Sequence, residues 1–240
     1  MTADNDESNA HAPAAQVTTR KVDRMVAKFD RTLKRSVGLI GDRFDEVPAL
    51  AMREEILDEY RRLIPEVPYI GGRSNMFSRT LMGTPQALAI HRVVVRHGGT
   101  ASDTGGLLHR FMRTRLERIP RVLRHLVGRY RFSRVKIRQY ERTARQSQKR
   151  RFPGDWVLEM VDDDGKGFDF AYDITECGIA KFLHDQGADE LTPYICDLDR
   201  LLAEELGYGL ERTGTLSWGC DRCDFRLTKT GVTSAPWPPM

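Results

Sequence analysis

Trp156-Val157-Leu158-Glu159-Met160-Val161 is followed by Asp162-Asp163-Asp164-Gly165-Lys166 and then by Gly167-Phe168-Asp169-Phe170-Ala171-Tyr172-Asp173. In these residues the period of the chain changes. The patterned segments before Pro153-Gly154 repeat at threes and fours, whereas these two runs are short and rich in Val and aromatic residues. An acidic, glycine-containing turn divides them. They predict two strands of a hairpin. Two short helices are expected next, about Glu176 to Gln186 and Pro193 to Leu206, and then two strands, Gly209 to Leu216 and Cys223 to Thr228. The order ββααββ behind a helical front half reads as an α+β protein. Its core element is a four-stranded antiparallel sheet with helices on one face.

Working outward toward the N-terminus, Val22, Met25, Val26, Phe29, Leu33 and Val37 recur at helical spacing from Thr19. A second such run follows Pro48, with Leu50, Met52, Ile56, Leu57, Tyr60 and Leu63, and stops at Pro65. Helices are expected again over Pro85 to His97 and over Asp103 to Ile119, the latter capped by Ser102, with Gly98-Gly99 between them. Pro120 opens a further segment carrying Val122, Leu123, Leu126 and Val127. Residues 1–18 hold too few large apolar side chains to offset the entropy of ordering and are expected to be a disordered tail. The expected organisation is that tail, a helical region over 19–152, an α+β domain over 153–229 and an extended tail over 230–240.

The chain has 240 residues, 40% hydrophobic and 30% charged, with a formal charge of +4. No apolar run approaches the length of a membrane span, and the N-terminus lacks the apolar stretch of a signal peptide, so a cytoplasmic protein with no membrane partner is expected. Between Arg129 and Arg151 stand ten Lys or Arg residues and one acid, Glu141. This run is open to three readings: a nucleic-acid footprint, a solvated helix face, or a cationic rim for carboxylate substrates. No RNA-binding signature or zinc-finger spacing accompanies it, so nucleic acid is the least favoured partner.

All four cysteines fall in the second half: Cys177, Cys196, Cys220 and Cys223. In a reducing compartment these are free thiols or metal ligands. With Thr175 as N-cap, Cys177 is expected at the second position of a helix, where backbone N–H groups lower a thiol's pKa. Glu176 beside it opposes that shift and is a candidate proton carrier. Cys196 lies early in the next helix. Cys220-Asp221-Arg222-Cys223 is a single CxxC at the start of the last strand, so a structural zinc held by all four cysteines is weakly signalled. His184 is the one histidine in this region.

Gly154-Asp155-Trp156-Val157, Phe168-Asp169-Phe170, Asp173-Ile174-Thr175-Glu176-Cys177-Gly178, Thr192-Pro193-Tyr194-Ile195-Cys196, Glu211-Arg212-Thr213-Gly214-Thr215-Leu216 and Cys223-Asp224-Phe225-Arg226 together resemble the L-2-amino-thiazoline-4-carboxylic acid hydrolase family. The resemblance runs from about Pro85 to Leu227 and is densest after Gly154. It implies a hydrolase that adds water at the amidine-like C2 of a thiazoline ring, giving N-carbamoyl-cysteine, and it points to Cys177, Cys196 and the Cys223-Asp224-Phe225 unit. On this reading the reaction is hydrolysis of a C–N bond in a cyclic amidine, with no cofactor.

Cys177 or Cys223 is the candidate nucleophile, and Asp224 or Glu176 the candidate proton carrier. Arg212 or Arg226 is the candidate clamp for the substrate carboxylate, with Cys196 and Thr175 lining the site. A nucleophilic thiol is expected to alkylate quickly near neutral pH. Two alternatives stay open: a related ring-forming or hydrolytic enzyme of a biosynthetic pathway, and a non-catalytic module for a small ligand or metal. The helical half is a candidate homodimer surface.

Overall fold

In the computed structural model, which describes residues 18–35, 49–162, 167–231 and 233, the second half of the chain forms one four-stranded sheet. Its strands are β1 (Val157–Val161), β2 (Phe170–Glu176), β3 (Gly209–Glu211) and β4 (Cys223–Thr228), in the order β1-β2-β4-β3 with every neighbour antiparallel. The α+β architecture agrees with the expectation. All but the first residue of the anticipated hairpin turn, 163–166, lies outside the described residues.

Two strands differ from their expected limits. β2 runs on through Thr175 and Glu176, because Glu176 still pairs with Val157 of β1. β3 stops at Glu211 instead of Leu216. The Asp224 carboxylate accepts from the Gly214 N–H and from the Thr213 hydroxyl, both at 2.6 Å, and this draws the chain out of the ladder into a loop. A short 3-10 turn, Leu216–Trp218, takes the place of the rest of the strand.

Before the sheet come α1 (Thr19–Lys34), α2 (Ala49–Leu63), α3 (Thr84–Arg96), α4 (Ala101–Glu117), α5 (Arg121–Tyr130) and α6 (Arg134–Ser147). The apolar faces anticipated for α1 and α2 meet, with Phe29 edge-on to Tyr60 at 4.9 Å between ring centroids. Val37 lies outside the described residues. α4 begins two residues earlier than expected. Thr100, not Ser102, is the N-cap, because Thr100 and Asp103 form a reciprocal capping box. The basic run supplies α6, which buries Tyr140, Ala144 and Ser147 toward the sheet and leaves most of its cations at the surface.

After β2 come α7 (Gly178–Asp185) and α8 (Thr192–Leu206). They pack with α6 on one face of the sheet, and one apolar cluster continues from Val22 of α1 to Leu227 of β4. On β4 the side chains alternate: Cys223, Phe225 and Leu227 are buried toward the helices, while Asp224, Arg226 and Thr228 face the other way. Among the described residues no helix is long and apolar enough to cross a membrane.

Candidate active site

Three of the four cysteines share the helix-covered face of the sheet. Cys177 is the N-cap of α7, since β2 continues to Glu176, so Thr175 is not the cap expected from the sequence. The Thr175 hydroxyl is instead turned toward the Val157 carbonyl at 3.5 Å. Gly178 follows Cys177 for a steric reason. A Cβ there would stand 2.6 Å from both the Gly154 carbonyl oxygen and the Trp156 ring, so only glycine lets the helix start this close to the sheet.

Cys196 sits on the second turn of α8, and its carbonyl accepts from Arg212 Nη2 at 2.9 Å. Cys223 opens β4 at 5% exposure, paired in register with Ile174 of β2. Its sulfur accepts from the Leu216 N–H at 3.2 Å and lies 3.4 Å from the Thr215 hydroxyl, to which it donates. Cys220, by contrast, is exposed on the turn before β4. Among the described residues no group of three or more His, Cys, Asp or Glu side chains is placed to hold a metal ion.

The buried thiols influence one another's ionisation. Burial is the largest effect on Cys177 and pushes it up to about 11, although the N–H groups of Ala180 and Ile179 at the helix start pull the other way. Burial also takes Cys196 to about 12, with Cys177, Cys223 and Asp199 adding to the rise and Arg212 opposing it. Cys223 is raised as well, again chiefly by burial. The lowered thiol pKa expected from the helix end is therefore corrected: the helix end is present, but desolvation outweighs it. Near neutral pH Cys177 stands as the thiol.

Two charged side chains complete the cluster. Arg212 is nearly buried, with 6% of its side chain exposed; it lies over the Phe225 ring at 5.2 Å and pairs with Asp199 at 3.3 Å. Asp199 keeps 47% of its side-chain surface accessible, yet burial is the largest influence on its carboxyl and raises it above the usual range, against the pull of Arg212 and Arg131. Asp199 thus keeps accessible side-chain surface although protein surrounds most of it. Asp199 is one helical turn beyond Cys196, and that spacing puts both on one face of α8. It was legible in the sequence as i and i+3, but its surroundings were not.

The remaining candidates stand elsewhere. Asp224 is tied to the Thr213-Gly214 loop on the open face of the sheet. Arg226, also on that face, binds Asp173 at 2.7 Å, and Arg222 binds the same carboxylate at 3.1 Å. Glu176 is paired with Arg150 and Lys181 at the edge of a depression of about 400 Å³ that also holds Asn75, Asp155 and Arg151. The histidine of this region, His184, is exposed and pairs with Asp189.

The thiols, Asp199 and Arg212 all fall within residues 107–227, the part of the chain that matches the family model described as L-2-amino-thiazoline-4-carboxylic acid hydrolase. That match spans just over half of the protein. The chain belongs to the L-2-amino-thiazoline-4-carboxylic acid hydrolase family. The match begins at Leu107, not Pro85, and ends at Leu227 as the motifs indicated. It leaves α1 to α3 outside and takes in α5, α6, α7, α8 and the sheet except Thr228, the last residue of β4. Comparison with curated proteins and with solved structures gave no match. Membership carries the name of a hydrolase; the residues that do the work have to come from the geometry.

Proposed function

We propose that the protein hydrolyses a small cyclic amidine of the 2-amino-thiazoline-4-carboxylate type in the recess bounded by Cys177, Cys196, Cys223, Asp199 and Arg212. The observation that carries this reading is the convergence of three thiols, from β2–α7, α8 and β4, on Asp199, a carboxylate with accessible surface paired to a nearly buried arginine. Balancing atoms revises one expectation. If N-carbamoyl-cysteine is the product, the water oxygen ends on C2, both nitrogens stay on that carbon, and the bond that breaks is C2–S. The C–N cleavage inferred from the sequence is replaced by C–S cleavage.

Cys177 is the nucleophile on this account, because it combines partial exposure with the N–H groups of a helix start. Its raised pKa comes chiefly from burial away from charge. A protonated thiazoline ring brings a positive charge beside the thiols and lowers their pKa, while Asp199, held above the usual carboxylate range, takes the proton. The Cys177 sulfur bonds to C2, the ring C2–S bond breaks, and a proton passes to the departing sulfur, leaving an isothiourea on the enzyme. Water then adds to the same carbon and Cys177 leaves as the thiol. The backbone N–H groups at the start of α7 stabilise the Cys177 thiolate as it forms, and Arg212 holds Asp199 in place.

The raised thiol pKa values favour a second reading, in which Asp199 activates water directly and Cys177 acts only as a proton donor. One assay separates the two. The substrate sulfur is locked in a ring and the product sulfur is free, so turnover of L-2-amino-thiazoline-4-carboxylate appears as thiol release. The covalent route predicts release by the native protein and none by Cys177→Ala. Release by Cys177→Ala at a reduced but measurable rate supports direct water attack. No release by the native protein overturns both.

A further inference from the structure

We infer that Arg131 is the carboxylate anchor of this recess and sets its preference for ring substrates that carry an acid group; the inference rests on the recess being the substrate site. Arg131 lies just past the end of α5, inside the basic run whose other members are mostly at the surface. Three arginines among the described residues have a buried Nε with no hydrogen-bond partner: Arg53, Arg124 and Arg131. Arg53 has Asp30 and Arg124 has Glu205 as an ion-pair partner. Arg131 has none among the described residues. Its contacts are the Tyr208 ring, 5.1 Å from its guanidinium carbon, and the Tyr140 hydroxyl, 3.5 Å from Nη2.

A buried guanidinium without a carboxylate is costly unless something else fills the role. Its position says what that is. Tyr140, Tyr172 and Phe225 form a continuous aromatic floor on the helix face of the sheet, with centroids 4.8 Å apart at each step and the last pair stacked at 10°. Arg131 stands at the Tyr140 end of that floor and Arg212 over the Phe225 end. Asp199 feels both cations but pairs only with Arg212. Asp199 and Arg212 balance one another, which leaves Arg131, a planar fork with donors to spare, without an ion-pair partner among the described residues. A carboxylate fits both the charge and the shape. With its acid group on Arg131 and its amidine toward Asp199, a small ring would lie along the aromatic floor toward the thiols. Arg212, expected from the sequence to hold substrate, is already engaged by Asp199 and the Cys196 carbonyl.

The test compares two ring substrates, L-2-amino-thiazoline-4-carboxylate and 2-amino-2-thiazoline, which lacks the acid, in native protein, Arg131→Gln and Arg131→Lys. The expected result is a rise of about 10- to 100-fold in KM for the acid substrate in Arg131→Gln, with kcat within about threefold and no change toward the acid-free ring. Arg131→Lys, which keeps the charge without the fork, should recover part of the loss. Equal loss on both rings in a variant whose circular dichroism and Tm match the native protein would assign Arg131 a packing role and overturn the inference. If the native protein turns over neither ring, calorimetric binding of the acid ring decides alone. Binding weakened at least tenfold by Arg131→Gln upholds the anchor although the proposed reaction falls; no binding, or binding indifferent to the variant, overturns it.

Discussion

On the helix-covered face of the sheet, Cys223 sits at 5% exposure among other thiols and aromatic rings. One residue along the same strand, Asp224 turns to the open face and engages both oxygens with the Thr213-Gly214 loop. β2 repeats the contrast: Tyr172 and Ile174 join the core beside the recess, whereas Asp173 faces outward between Arg222 and Arg226. The polar residues of the open face satisfy one another, whereas the helix face holds a thiol cluster, a raised carboxylate and, in Arg131, a guanidinium with no ion-pair partner among the described residues. Satisfied networks hold a structure in place; unsatisfied groups are what a substrate can bind. This contrast is why the proposed site lies on the helix face.

The largest effect should come from the helix face. Cys177→Ala is expected to lower thiol release on the order of a thousandfold or more, with an unchanged circular dichroism spectrum. Asp199→Asn should cost about a hundredfold to ten-thousandfold in kcat, measured by the same release. It should also change the pH profile. Burial raises the Asp199 carboxyl, so its base form accumulates only as pH climbs through that raised value, and the native rate should rise over a range above the ordinary carboxylate region. Asp199→Asn should lose that limb.

The open face should show the opposite pattern. Asp173→Asn leaves two arginines without their shared carboxylate, so a loss of about 1–3 kcal/mol in denaturant melts is expected, with turnover of the folded protein within about threefold. A large kcat defect in Asp173→Asn at unchanged stability would break the comparison. The smallest effect is expected at Cys220: serine there should leave turnover and Tm unchanged. In native protein Cys220 should be the first thiol alkylated by iodoacetamide, because it is exposed. Against the fast alkylation expected from the sequence, labelling of Cys177 should be slow at pH 7, because burial raises its thiol, and should accelerate toward its pKa of about 11. Mass mapping over a pH series checks both.

Much of this arrangement was legible in the sequence. The change of period at Pro153-Gly154 predicts the sheet, and the helix start beyond β2 places Cys177 within two positions of where it stands. The two-residue repeat of a strand also says that Cys223 and Asp224 cannot face the same site, so pairing them as nucleophile and proton carrier conflicts with strand geometry. Asp199 shares a face with Cys196 by spacing alone. Its raised carboxyl, however, comes from burial by the rest of the fold, against the opposing pull of Arg212, which arrives from the loop after β3. Arg131 was hidden differently. Within a run of ten cations nothing in the sequence separates the one that turns inward, because its distinction is made by Tyr140, Tyr172 and Tyr208 from three other segments.

The central claim is that the thiol of Cys177 attacks the substrate carbon, and rapid quenching tests it most directly. Native protein mixed with L-2-amino-thiazoline-4-carboxylate, quenched in acid within the first turnover, digested and mapped by mass spectrometry, should carry the mass of one substrate on the peptide containing Cys177. That adduct should decay at the rate at which free thiol appears. Turnover at full rate with no adduct on any cysteine, or an adduct on Cys196 or Cys223 that decays at that rate, would contradict the account.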